Sequence, residues 1–148
     1  MLDRFSTFTV LVDKLKRSIR RIKTEEMAEF ELKSPHVSCL YYLYRHESLT
    51  SKELAEVCEE DKAAISRSLD YLEDNGFIVC GKDMHKRYKS PFLLTEKGKA
   101  VASKIVEKVD RILDEASRGL SEEERNIMYR GMAVISENLG RICDAYEE

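Results

Sequence analysis

The residues able to do covalent or metal chemistry are few in this sequence and widely spaced. Cysteine occurs only at Cys39, Cys58, Cys80 and Cys143, and histidine occurs three times. No two cysteines form a CxxC pair and no histidine follows them at finger-like spacing, so neither a zinc module nor a dithiol redox motif is predicted. Buried free thiols are the expected state. A redox sensor stays open as the alternative, because one exposed thiol of low pKa would suffice.

The sequence also shows no combination of residues that is typical of a catalytic site. The sequence shows no nucleophile with a base, no paired carboxylates at a meaningful spacing and no phosphate-cradling glycine loop. His36, His46 and His85 form no recognisable ligand set with the scattered carboxylates. We therefore expect no enzymatic activity, no metal and no cofactor.

The stretch DKAAISRSLDYLEDNGFI, residues 61–78, combines a core stripe with a small polar face. Its apolar residues Ile65, Leu69 and Leu72 recur at spacings of four and three, which predicts an amphipathic helix. Such a helix turns Lys62, Ala63, Ser66, Arg67 and Asp70 outward. Small side chains permit close approach to a DNA major groove, and an arginine can bind guanine through two hydrogen bonds. An ordinary solvated helix face is the alternative.

A basic segment follows this helix. FIVCG and FLL read as two short strands, and the ten residues between them form the tip of a β-hairpin. The tip carries the basic or titratable residues Lys82, His85, Lys86, Arg87 and Lys89 against one acid, Asp83. A solvated hairpin turn is the commoner fate of such a run. Its place directly after a candidate recognition helix favours a wing that grips the minor groove and the DNA backbone.

Capping residues mark the starts and ends of the helices. The predicted caps and capping boxes are Ser34 before Pro35, Thr50 with Glu53, Asp61, the exit Asn75-Gly76, Thr95, and Ser121 with Glu124. The middle of the chain then reads helix, very short strand, helix, turn, helix, hairpin, which describes a winged helix-turn-helix. Ser51 and the first amides of the helix after Thr50 can face a phosphate. The predicted fold is mainly α with a small β-hairpin wing.

Both ends of the chain carry long apolar stripes. The first consists of Phe5, Phe8, Val12, Leu15, Ile19 and Ile22, and the second of Met128, Met132, Ile135, Leu139, Ile142 and Tyr146. Core packing is one interpretation, and pairing between two copies is the one we favour, which predicts a homodimer. We expect one domain over 1–148, with a winged-helix lobe at 34–98 and dimerisation helices at 1–30 and 99–148.

Charge and hydropathy limit the classes of partner that we expect. The net charge of the 148 residues is −3, yet residues 62–99 carry eight basic and five acidic side chains and residues 107–148 carry six and eleven. Contact with a polyanion is therefore expected at the middle of the chain. No apolar run is long enough to cross a bilayer and no secretory signal is evident, so we expect a cytosolic protein without a membrane partner. The basic run within residues 14–23 is expected to be a solvated face, with a membrane-surface helix as the alternative.

The order and spacing of these features resemble the MarR-type (multiple-antibiotic-resistance regulator) family of winged-helix repressors. The resemblance is concentrated in LTSKELAEVCEEDKAAISRSLDYLEDNGFI and in LLTEKGKA. It implies a dimer with interlocked terminal helices that binds a pseudo-palindromic operator in double-stranded DNA. It would bring Lys62, Ala63, Ser66 and Arg67 to the major groove and Lys86 and Arg87 to the minor groove. The sequence departs from the family at CEE, residues 58–60, where the family's turn often reads L-G-L.

The resemblance also implies a small effector, often aromatic or phenolic, that releases DNA by binding between the dimerisation helices and the winged domain. His36, Tyr41 and Tyr44 lie on the helix that would line such a place, although tyrosine-rich runs are more often core packing. The predicted function is thus a dimeric, sequence-specific DNA-binding regulator, a repressor released by this effector. The alternative is a winged-helix dimer that binds protein, because a fold does not fix a function.

Overall fold

The computed structural model describes residues 3–58, 60–81 and 90–147 of the chain. Within them the helices are α1 (Leu11–Glu26), α2 (Ser34–His46), α3 (Ser51–Cys58), α4 (Lys62–Asp74), α5 (Glu96–Ala116) and α6 (Glu122–Asp144). A π-helical turn at Ser6–Val10 leads into α1, and a 3₁₀ turn at Ala28–Phe30 follows it. The predicted mainly α fold is confirmed.

Two capping boxes fix the starts of α3 and α6, as predicted. At α3 the Thr50 hydroxyl accepts the Glu53 amide at 3.2 Å, and the Glu53 carboxylate accepts the Thr50 amide at 2.8 Å. At α6 the Ser121 hydroxyl and the Glu124 carboxylate exchange the same two bonds at 3.1 and 2.7 Å. Each box satisfies two amides that the helix itself leaves without partners.

The predicted cap of α2 is wrong by one residue. Ser34 is already helical, and Lys33 precedes it in extended conformation. The His36 side chain supplies the capping acceptor, because its Nδ1 accepts the Lys33 amide at 3.2 Å. Proline is tolerated throughout the first helical turn, where amides have no helical acceptor, so Pro35 did not fix the boundary.

Three short strands form one antiparallel sheet. β1 (Ser48–Leu49), β2 (Ile78–Cys80) and β3 (Phe92–Leu94) lie in the order β1-β3-β2. Leu49 and Cys80 lie opposite Phe92 from its two sides, and Phe92 is buried. The predicted hairpin is therefore confirmed, and the very short strand ahead of α3 joins it as a third strand.

The hydrophobic core lies among α2, α3, α4, the sheet and α5. Leu40, Leu54, Ile65, Leu72 and Ile105 are all completely shielded from solvent. The chain divides into two compact units, residues 1–109 and 110–148, and this core belongs to the first. The division falls within α5, and the expected single domain stays a prediction.

The apolar stripes of α1 and α6 lie at the surface. Neither helix buries a single residue. The exposed fraction is 57% at Ile19 on α1 and 53% at Met132 on α6. Monomeric soluble proteins rarely leave contiguous apolar surfaces of this length in water, so the two stripes are surfaces suited to contact with another chain.

Polar contacts attach the C-terminal end of α1 to the core. The Lys108 ammonium on α5 donates to the Glu26 carbonyl at 2.9 Å and pairs with the Glu29 carboxylate. The Glu29 contact is the main cause that raises the pKa of Lys108. On the other side, Lys23 donates to the Ser38 hydroxyl of α2 at 3.1 Å. In the part of the chain that the structure describes, no helix is long and apolar enough to span a bilayer.

Candidate nucleic-acid interface

Helix α4 presents the polar face that the sequence predicted. Asp61 caps it, with its carboxylate accepting the Ala64 amide at 2.7 Å. Ile65, Leu69 and Leu72 point into the core and are each 2% exposed or less. Asp70 is exposed on the opposite face, which begins at the N-terminus of the helix with the exposed residues Lys62, Ala63, Ser66 and Arg67. We call these four residues the reading face.

The end of α4 is tied to the wing and to α5. Gly76 takes a left-handed conformation with φ of 77°, and the Phe77 amide then donates to the Leu72 carbonyl at 2.9 Å. This is the glycine exit that the sequence predicted. The Thr95 hydroxyl donates to the Gly76 carbonyl at 2.6 Å and accepts the Gly98 amide at 3.0 Å. One hydroxyl therefore links the exit of α4 to the first turn of α5.

Helix α3 packs against α4 and α2. Ser51, a predicted phosphate contact, is the half-buried first residue of α3. Leu54 anchors the helix in the core, and α3 ends at Cys58. The Glu60 amide donates to the Ala55 carbonyl at 3.3 Å. This bond links Glu60 to the last turn of α3, and residue 59, within the CEE departure from the family, lies outside the described residues.

The wing begins directly after α4. Its base is paired by β2 and β3, and the Gly81 amide donates to the Pro91 carbonyl at 2.7 Å. The predicted contacts of the tip, His85, Lys86, Arg87 and Lys89, lie outside the described residues. The tip follows the end of β2 and precedes the start of β3. These two strand ends are the ones farther along the chain from α4 and α5.

A cavity of about 410 Å³ lies between the end of α1, α2, the end of α3 and α5. Its lining includes Lys23, Ser38, Tyr41, Val57, Cys58 and Ile105. Tyr41 is the predicted effector residue that reaches it. A larger depression of about 580 Å³ at the start of α6 is lined by exposed side chains and offers no apolar enclosure. Lys23 and Ser38 were not predicted, because only the fold brings α1 beside α2.

The other two predicted effector residues lie elsewhere. The His36 ring stacks on Tyr71 of α4, with ring centres 4.3 Å apart. Burial and the Lys33 charge both lower the pKa of His36, which favours the neutral ring whose Nδ1 caps α2. Tyr44 is 40% exposed and does not line the cavity. His36 thus connects α2 to the helix of the reading face.

A short helix, a turn, a second helix with an exposed polar face and a hairpin define a winged helix-turn-helix protein. The family model described as MarR family matches residues 32–80, which run from just before α2 to the end of β2. The winged-helix segment therefore matches the MarR family, as the sequence predicted, and this likeness indicates a transcriptional regulator.

Individual relatives agree with this assignment. The HTH-type transcriptional regulator YwhA of Bacillus subtilis is 26% identical over 98 residues, covering 66% of this chain and 70% of that protein. The crystal structure of MarR is 27% identical, with a TM-score of 0.74 over 96% of this chain and 97% of that chain. A MarR family regulator from Listeria monocytogenes, complexed with a 26mer DNA, is similar in fold: 21% identity and a TM-score of 0.81 over 94% of this chain and 90% of that chain. The family is one of regulators, which confirms the prediction of a non-enzyme.

Proposed function

We propose that this protein is a dimeric, sequence-specific repressor in the cytosol that binds a pseudo-palindromic operator and releases it on binding a small molecule. The observation that carries the proposal is the reading face, held outward by the buried stripe of the same helix. Ala63 and Ser66 leave room for the α4 backbone to approach base edges, and Lys62 and Arg67 bring positive charge. An α-helix fits the B-DNA major groove, which is about 12 Å wide.

Contacts on either side of the reading face would fix its position along the DNA. We propose that Lys86 and Arg87 enter the minor groove, with His85 and Lys89 near the backbone, because the wing follows α4 directly in the chain. Ser51 sits at the start of α3, where helix amides favour a phosphate. Such contacts position the protein, and the reading face supplies the sequence preference.

Selection of bound fragments from random double-stranded DNA tests the DNA-binding function. We expect one enriched, two-fold symmetric sequence. Its affinity should fall by about a thousandfold between ~50 and ~200 mM salt, because at least ~6 phosphate contacts release counterions. A scrambled fragment of equal length is the control. Recovery of no preferred sequence, with weak binding in low salt, would favour the protein-interaction alternative.

The dimer is supported by the two exposed stripes. Each lies on a helix that buries none of its residues, and pairing with a second copy would remove both from water. A two-fold axis would set the two reading faces on one side of the DNA, with half-sites about 34–36 Å apart. That geometry explains why a symmetric operator is expected.

Placing a charge in either stripe should break the dimer. We expect Ile19→Lys or Ile135→Lys to cost about 3 kcal/mol, roughly a hundredfold in dissociation, because the ammonium would be buried in an apolar seam. Sedimentation equilibrium measures the effect, and circular dichroism checks that helices persist. Thr24→Lys adds the same charge off the α1 stripe and should leave the dimer intact. Equal dissociation constants for all three variants would contradict the proposed interface.

The cavity supports release by an effector. It touches α1, which carries one of the two apolar stripes, and the end of α3, which precedes α4 and its reading face in the chain. A molecule wedged there would alter the spacing of the two reading faces and so lower operator affinity. Tyr41 offers an aromatic wall and Lys23 a positive charge, which together suit a small aromatic acid.

Filling the cavity should remove this response. With 4-hydroxybenzoate as the probe, we expect the wild-type protein to lose operator affinity in fluorescence anisotropy. Ser38→Phe should keep its DNA affinity yet respond at least about tenfold less, because the ring occupies the cavity. Ser103→Phe, on the exposed face of α5, should respond as the wild type does. An equal response of both variants would place the effector elsewhere.

A further inference from the structure

One aromatic contact joins the start of α2 to the helix that carries the reading face. The His36 imidazole of α2 and the Tyr71 phenol of α4 lie face to face, with ring centres 4.3 Å apart and ring planes 7° from parallel. His36 is 8% exposed and Tyr71 is 39% exposed. The tyrosine ring is therefore covered from the side of α2, while the rest of it stays in water.

Tyr71 lies to one side of the buried stripe of α4. Because a helix turns by about 100° per residue, Tyr71 is roughly a third of a turn around the axis from the middle of that stripe. The stripe fixes how close α4 lies to the core, and a contact a third of a turn away restricts rotation of the helix about its own axis. Arg67 precedes Tyr71 by four residues and so lies one turn away on the same side of the helix. Any rotation of α4 therefore moves both side chains together.

A hydrogen bond within α2 holds the His36 ring in this position. Its Nδ1 accepts the Lys33 amide at 3.2 Å, which only an unprotonated Nδ1 can do. A proton on Nδ1 would set two donors against each other. Burial and the Lys33 charge lower the pKa of His36, and Tyr71 is the ring that faces it from α4. The stacked position therefore favours the neutral imidazole over the cation.

We propose that the His36–Tyr71 stack is a positioning contact for the reading face: it keeps α4 at the rotation that directs Arg67 at a base edge, and protonation of His36 releases it. The new Nδ1 proton displaces the Lys33 amide, the imidazole leaves its parallel position, and α4 gains freedom to rotate on the core. The preference at the base that Arg67 reads is then lost while the protein stays folded. This inference rests on the proposed function, because it concerns how the reading face is oriented.

A double-mutant cycle on the selected operator tests the positioning role. We expect Tyr71→Leu to weaken binding at least about fivefold and to relax the preference at the same base position as Arg67→Ala does. Because Tyr71 acts through Arg67, the double variant R67A/Y71L should bind no more weakly than R67A. Tyr71→Phe keeps the ring and should bind as the wild type does. Tyr44→Leu removes a tyrosine of equal exposure, 40%, from α2 and is the matched control, with no expected effect.

The protonation step can be tested in a protein whose only histidine is His36. The chain has three histidines, so H46Q/H85Q leaves His36 alone. From ~pH 7.5 to ~pH 5, across the ordinary histidine pKa, we expect its operator binding to weaken at least about fivefold at constant salt. The triple variant H36Q/H46Q/H85Q has no titrating ring and should show no such loss. In the free H46Q/H85Q protein, proton NMR should show His36 titrating below the usual histidine range. Adding Tyr71→Leu should move that titration to higher pH, because the ring becomes better hydrated.

Several outcomes would overturn the inference. Operator binding by Tyr71→Leu that equals that of the wild type, or losses in Y71L and R67A that simply add, would refute the positioning role. Operator affinity of H46Q/H85Q that stays constant on acidification would refute the protonation step. A wild-type protein that binds no operator at neutral pH would refute the proposed function and this inference with it, whereas each of the other outcomes leaves the proposed function standing.

Discussion

Arg67→Ala is expected to weaken binding to the selected operator by ~1–3 kcal/mol and to relax the preference at one base position. Arg67 is exposed on α4, while its neighbours Ile65 and Leu69 fix the helix in the core. The guanidinium offers two parallel donors that match the acceptors on the major-groove edge of guanine. Alanine removes both donors and leaves the fold unchanged, because Arg67 contributes nothing to the core.

Binding isotherms on the operator and on its single-base variants measure this effect. Arg130→Ala removes an exposed arginine from α6 and should leave every isotherm as it is for the wild type. Lys86→Ala should weaken binding to all sequences nearly alike, because the minor groove presents a degenerate pattern of acceptors and a lysine there contributes mainly charge. If Arg67→Ala also weakened all sequences equally, Arg67 would contact only phosphate.

Gly98→Ala is expected to destabilise the fold by about 3 kcal/mol, at the upper end of what overpacking costs. Gly98 is buried in the first turn of α5, and a Cβ there would lie 1.9 Å from the Phe77 carbonyl oxygen. That oxygen belongs to backbone, so it cannot rotate away as a side chain would. The Thr95 bonds to Gly76 and Gly98 hold the same two segments together.

Chemical denaturation of matched variants measures this loss. Gly140→Ala is the control, because a Cβ at Gly140 meets nothing within 4 Å. That change should raise stability by ~0.5–1 kcal/mol, since alanine is the better helix former. A Gly98→Ala protein as stable as the wild type would show that α5 shifts away from Phe77 at little cost. The operator affinity of Gly98→Ala would then show whether DNA binding tolerates the same shift at the base of the wing.

Local features of the fold could be predicted because each is decided by a few neighbouring residues. The bounds of α5 follow from Thr95 before it and a stripe that continues to its end. The boxes at Thr50 and Ser121 need only residues three positions apart. The cap of α2 was assigned one residue late, because Ser34 looks like a cap whereas the ring of His36 takes that role.

The sequence alone determined the helices, the hairpin, the apolar stripes and the composition of the reading face, since helical periodicity assigns a side to every residue of α4. Contacts between residues far apart in the chain were decided only by the tertiary structure. The close approach of Gly98 to Phe77 and the cavity beside Lys23 each join different elements. Periodicity gives the face a residue occupies, but the packing of α1, α2, α3 and α5 gives its neighbours. That is why the reading face was predicted and the place of Lys23 in the cavity wall was not.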